Sequence, residues 1–185
     1  MKSAISSYFA KQLEKKNIFA SVHGLAELIT EIKSDGTGSK TFPALYKGND
    51  ALRYVTNFDY KNGLAFFLKG DESITEGESK RGDSRYMTYS VNLQFYCIVK
   101  RTNEDELINE LLNVLQIDNK KSNRAAFGVN AVRAFVSSYT TGADNVLPDI
   151  FSGIDIKAGH DMSYINMTVS FTASYYDSCI KIKCC

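Results

Sequence analysis

Met87-Thr88-Tyr89-Ser90-Val91-Asn92-Leu93-Gln94-Phe95-Tyr96-Cys97-Ile98-Val99 decides how this chain folds, together with its counterpart Ile165-Asn166-Met167-Thr168-Val169-Ser170-Phe171-Thr172-Ala173-Ser174-Tyr175. Odd positions are apolar or aromatic in both. Even positions are Ser, Thr, Asn or Gln, until Tyr96 and Ile98 break the pattern. A period of two sends alternate side chains to opposite faces of a strand. Each stretch is therefore a β-strand with one core face and one face of small uncharged polar groups. Such a face suits water and equally suits a neighbouring subunit. Both stretches exceed the usual strand length of about 3–10 residues, which predicts ribbons reaching beyond one compact sheet.

Outward from these strands, residues 3–16 show a helical stripe of Ile5, Tyr8, Phe9 and Leu13, with Asn17 as the stop. A strand is expected at 27–33, a turn at 34–40, and a short strand at 41–46. Pro43 cannot donate to a ladder, which places that strand at an edge or near its start. A second turn at 47–50 and a weak strand at 52–58 follow. Asn62-Gly63 is a two-residue hairpin signal ahead of the apolar run 64–68. Residues 70–85 are polar and aperiodic, and predict a flexible loop or hairpin tip. Asn103, with Glu106 three residues on, opens a helix to about residue 116 whose stripe includes Leu107, Ile108, Leu111 and Leu115. A basic loop at 120–124, a strand at 128–138, and a loop at 140–159 with one short helix before Phe151 lead into the last strand. The expected fold is α+β: a single domain over 1–185, with a mostly antiparallel sheet of long strands packed by the N-terminal helix and the central helix.

Composition narrows function. Lys and Arg total 22 against 21 Asp and Glu, so net charge is near zero. That argues against a general nucleic-acid or anionic-membrane binder. No run approaches a transmembrane length, and the first residues lack the apolar core of a signal peptide, so an intracellular, reducing origin is expected. Cys97 falls on the apolar phase of a strand and reads as a core residue. Cys179, Cys184 and Cys185 have no metal-site spacing and read as reduced, exposed thiols.

Motif matches are weak. Gly36-Thr37-Gly38-Ser39-Lys40-Thr41 resembles a phosphate loop, but Ser39 stands where the motif needs Gly before Lys, so a β-turn is expected. Arg81-Gly82-Asp83 and the acceptor-like Asn166-Met167-Thr168 are read as chance matches. His23 and His160 are the two histidines. His160-Asp161 is the one conceivable acid–base pair, yet no nucleophile motif accompanies it. No catalytic, cofactor-binding or metal residues are therefore assigned, and no enzyme activity is expected. Lys120, Lys121 and Arg124 supply too few charges for a phosphate surface.

The order of elements resembles the tail-terminator or tail-completion proteins of tailed bacteriophages. It rests on the amphipathic N-terminal helix, Thr41-Phe42-Pro43-Ala44-Leu45-Tyr46-Lys47-Gly48, the polar loop, the Tyr-rich strand, the Leu-rich helix, and Phe171-Thr172-Ala173-Ser174-Tyr175-Tyr176-Asp177-Ser178-Cys179. The resemblance implies a small α+β virion protein at the head–tail junction, assembled in the bacterial cytoplasm. It implies a homo-oligomeric ring, a hexamer first of all, between tail-tube and neck or connector proteins, with no cofactor and no membrane. Other tail-tube or adaptor subunits share these features. A reading from a different class is a small ligand-binding or enzymatic domain, centred on His160, Asp161 and the 140–159 loop.

Overall fold

The computed structural model describes residues 1–46, 52–54, 63–78, 85–100, 103–153, 158–159 and 161–176. Helix α1 (Lys2–Glu14) leads into β1 (Ser21–Ile32), β2 (Ser39–Tyr46) and β3 (Leu52–Tyr54). Then come β4 (Leu64–Glu78), β5 (Arg85–Lys100), α2 (Glu104–Val114), α3 (Lys121–Phe127), β6 (Ala131–Thr141), α4 (Ala143–Ile150) and β7 (Met162–Tyr176). The seven strands form one sheet in the order β3-β2-β1-β4-β5-β7-β6. β1 and β4 are parallel, and every other neighbouring pair is antiparallel. The fold is α+β, as the alternating stretches and the N-terminal helix predict.

β5 and β7 are central neighbours, paired without a register shift from Tyr86↔Tyr176 to Lys100↔Met162. Their odd residues all face one side. There Val91, Leu93, Phe95, Cys97, Ile165, Met167, Val169 and Phe171 are buried together with Ile5, Phe9 and Leu13 of α1 and Leu107 and Leu111 of α2. Phe95 meets Phe67 at 5.1 Å and Phe19 at 6.4 Å between ring centroids, within the range of favourable aromatic pairs. α2 begins as the sequence predicts: the Asn103 side chain accepts from the Glu106 N–H at 3.2 Å, and Glu104, Asp105 and Glu106 occupy the positive end of the helix.

The opposite face is divided. At its lower end Phe66, Leu68, Tyr96, Ile98 and Tyr164 form a second core under Val146, Leu147, Ile150 and Phe151. The break in alternation at Tyr96 and Ile98 marks this helix-covered patch. A two-bond bridge between Thr41 and Ser152 ties the end of α4 to β2.

Several expectations need correction. The loop expected at 70–85 is mostly strand: β4 continues to Glu78 and β5 starts at Arg85, leaving only residues 79–84, which lie outside the described residues. Composition hid this, because the pairing partner Arg85–Val91 supplies the ladder that acidic residues lack as propensity. Gly70 sits at the irregularity between Lys69 and Glu72, where a Cβ would come within 2.8 Å of the Asn92 carbonyl oxygen. The basic loop 120–124 is largely helix α3. The rings of Tyr8 and Phe171 stand 5.2 and 5.4 Å from Phe127 at its end, so tertiary contact overrides weak local propensity. Asn62-Gly63 does not make a hairpin of its flanking strands, since β3 lies beside β2 while β4 enters between β1 and β5. β2 is not the edge strand. Pro43 lies just beyond the three residues that β3 pairs. The turn at 47–50 and the end of the strand expected at 52–58 fall outside the described residues.

Truncating Phe95 to Ala should cost about 3–5 kcal/mol, because its side chain is fully buried between helix and sheet. Chemical denaturation of the variant measures this directly.

Candidate functional site

Among the described residues, no helix covers the upper part of the even face. Over Tyr86–Gln94 of β5 and Asn166–Tyr176 of β7, the even side chains are paired in register and are partly buried or, at Thr172 and Tyr176, exposed. β4 adds Ser73 and Thr75, opposite Ser90 and Thr88. β6 adds Ser137, Ser138 and Thr140. The result is a four-strand plane of hydroxyls and carboxamides.

These groups bond to one another. Thr88 Oγ1 and Ser174 Oγ share a hydrogen bond at 3.0 Å. Ser170 Oγ lies 2.9 Å from Asn92 Oδ1 and donates to it, and it also stands 3.1 Å from Ser137 Oγ. Thr168 Oγ1 donates to Gln94 Oε1 at 3.2 Å, and Asn166 Nδ2 to the same oxygen at 3.4 Å. Cross-strand bonds of this kind fix rotamers in advance. Charge is nearly absent from the plane. Arg133 on β6 is the exception, and it lies over the Phe135 ring at 5.2 Å. Phe135 itself is 43% exposed. An ordered, uncharged polar surface with an aromatic rim costs less to desolvate than a charged one, which suits contact with another protein surface.

The β4–β5 hairpin carries the charge that the plane lacks. Glu72 accepts from Lys69 at 3.2 Å, lies 3.8 Å from Lys2, and receives the Tyr89 hydroxyl at 3.4 Å. The Lys69 hydrogen bond, with help from Lys2, holds the Glu72 carboxyl below its ordinary range. Burial, and then the Glu72 charge, push the Tyr89 phenol up.

Among the described residues, those considered for chemistry do not come together. His160 lies outside the described residues, and Asp161 is exposed in a turn before β7. The 140–159 stretch contains α4, whose apolar side is packed against the sheet. His23 is half-buried on β1. Lys120 pairs with Asp118 at 3.0 Å on the surface. The glycine-rich turn at 34–40 is a β1–β2 connection, in which Asp35 Oδ1 accepts from the Thr37 N–H at 3.0 Å. Cys97 is fully buried, and burial raises its thiol well above the ordinary range. Cys179, Cys184, Cys185 and Arg81-Gly82-Asp83 lie outside the described residues. Among the described residues, no group of three or more His, Cys, Asp or Glu could hold a metal ion, and no helix is long and apolar enough to cross a membrane. A groove of about 410 Å³ between α1 and the end of α2 is lined by Tyr8, Lys15, Lys16 and Asn113, without a buried charged group to orient a ligand.

Compared with known proteins, the sequence matches no protein-family model and no curated protein.

Sequence reasoning identified the polar phase of β5 and β7. It missed the contributions of β4 and β6. The sign of β4 was present in Ser73 and Thr75, but three Glu residues and two Gly residues around them masked the alternation.

The buried Tyr96 phenol beneath α4 gives a pH signature. Burial, with the Asp149 charge second, pushes it from 10.0 to about 12. The folded chain holds this proton more tightly than the unfolded chain does. Its contribution to stability is therefore complete below pH 10 and lost as the pH rises through about 12. Urea midpoints measured across that window should fall less steeply for Tyr96→Phe than for the unsubstituted chain.

Proposed function

We propose that this protein is a structural virion subunit of a phage neck or tail, which assembles into a closed ring that terminates the tail tube and meets the head connector. The observation that carries the reading is the uncharged plane on four long strands, left open by every helix among the described residues. About a quarter of the chain is charged, with 22 basic and 21 acidic residues, yet the plane holds almost none of that charge. A surface kept only for water has no need to exclude charge.

Its size is suitable. Over residues 86–94 and four strands, the plane measures roughly 30 by 19 Å at spacings of about 3.3 and 4.8 Å. That is a large part of the about 800 Å² per partner of a standard interface. One copy's plane meeting a different surface of the next makes a head-to-tail contact, and such contacts close into rings when the rotation permits. Near-zero net charge removes the long-range repulsion that would oppose stacking many copies.

The β4–β5 hairpin supports the same reading. Its register continues past the end of the β1–β4 pairing, out to Glu78↔Arg85. The two strands are 15 and 16 residues long, a span of about 50 Å. β7 flanks β5 over that length, so the outer half of β4 remains as a sheet edge that a neighbouring subunit can reach.

Light scattering with electron microscopy of the same sample tests the proposal. The chain should form rings of closed symmetry, alone or on purified tail tubes. Placing charge in the plane by Thr168→Arg with Ser170→Arg should weaken assembly by roughly tenfold or more, the cost of a buried unpaired charge. The unfolding midpoint should move far less, since both side chains are only partly buried. A chain that stays monomeric at high concentration, with and without tail tubes, contradicts the proposal.

A further inference from the structure

The sheet contains a fork. β1 and β4 are paired only from Ser21↔Leu64 to Ala26↔Leu68. Beyond that point β1 continues with β2 alone, and β4 with β5 alone. Among the described residues no strand pairs with Glu72–Glu78 of β4 on the side turned toward β1. Alternate backbone groups there face outward as an open edge. Ile74, midway along it, is 60% exposed.

The edge is acidic. Residues 71–78 include Asp71, Glu72, Glu76 and Glu78, and no base. Lys69 and Lys2 lie against Glu72, and Arg85 lies 3.4 Å from Glu76. These pairs are exposed, hold only weakly in water, and can exchange partners. Two such edges cannot join, since carboxylates would oppose carboxylates. A strand with lysines at alternate positions can.

The chain supplies one. After Tyr176 the sequence continues to Cys179-Ile180-Lys181-Ile182-Lys183-Cys184, with Ile180 and Ile182 alternating with Lys181 and Lys183. This is the period of a strand. The residues from 177 on lie outside the described part of the structure.

We propose that this segment of one copy adds, antiparallel, to the open edge of β4 in a neighbouring copy. The proposal rests on the self-association reading and names a contact that would serve it. The register that sets Lys181 opposite Glu78 and Lys183 opposite Glu76 also sets Ile182 opposite Gly77 and Cys184 opposite Thr75. Gly77 suits an apolar partner: the Tyr86 ring lies across it, with Cζ 2.5 Å from where a Cβ would stand. The strand is thus anchored by an isoleucine on an aromatic ring and by lysines set along an acidic edge.

Reach favours a neighbour over the same copy. Tyr176 pairs with Tyr86, and Tyr86 with Gly77, so the segment leaves the sheet two strands away from β4. Crossing to the far edge of its own β4 takes three strand spacings, about 14 Å. From Tyr176 to Lys181 the chain spans at most about 18 Å fully extended, which leaves about 4 Å to rise over the side chains of the hairpin and return.

Disulfide trapping tests the contact in the full-length chain. Directly opposed strand residues have Cα atoms about 4.5–5.5 Å apart, within disulfide range. Thr75→Cys is made with Cys179→Ser and Cys185→Ser, which leaves Cys184 as its partner while Cys97 stays buried. Under mild copper–phenanthroline oxidation, a 75–184 disulfide should link separate chains into a ladder on a non-reducing gel. Ser73→Cys, one same-face position away, should link far less. Adding Cys184→Ser should abolish the ladder. Lys181→Glu with Lys183→Glu should weaken assembly at least tenfold by light scattering. If the chain assembles by light scattering but no 75–184 link forms, or the link stays within monomers, this contact is overturned while self-association stands. If it neither assembles nor links, both readings fall.

Discussion

The unbroken ladder between β5 and β7 is the constraint from which the other features follow. It runs from Tyr86↔Tyr176 to Lys100↔Met162, so the phase of one strand is locked to the phase of the other. A slip of one residue would turn Val91, Leu93, Phe95, Ile165, Met167 and Val169 to water and bring Asn92, Gln94, Thr168 and Ser170 into the core. The cost on both sides fixes the register. With the register fixed, α1 and α2 have one available apolar surface, and the polar side chains of the two strands are forced into a common plane.

That plane follows from the same alternation that builds the core. The strands are far longer than the α4 patch of Phe66, Tyr96, Ile98 and Tyr164 requires. Beyond the patch the alternation continues, and the side chains satisfy one another across strands. Ser170 with Asn92, and Thr168 with Gln94, hold their geometry through neighbours on the same sheet. A preordered surface loses less side-chain entropy when a partner covers it. This property favours self-association through the plane.

Much of the architecture was legible in the sequence. β5 and β7 were visible because period-two alternation in adjacent central strands is a strong signal. α2 was visible because Asn103, Glu106 and a Leu stripe agree, and α1 because Ile5, Phe9 and Leu13 share a stripe. The outer half of β4 was hidden. Asp71, Glu72, Glu76, Gly70 and Gly77 have poor strand propensity, and only the long-range register with Arg85–Val91 makes them a strand. α3 was hidden for a similar reason, since its anchor Phe127 acts through Tyr8 and Phe171, both distant in sequence. The polar phase of the candidate surface was readable on two strands. Its width was not, because the neighbours of β5 and β7 are set by topology.

A reconstruction of the assembled particle by electron microscopy, detailed enough to trace strands, tests the central claim most directly. The hydroxyl and carboxamide side chains around Asn92, Gln94, Thr168 and Ser170 should be covered by an adjacent copy, with the helical layer of α1 and α2 outside that contact. Copies that meet through α1 and α2, with the plane left open to solvent, would contradict it.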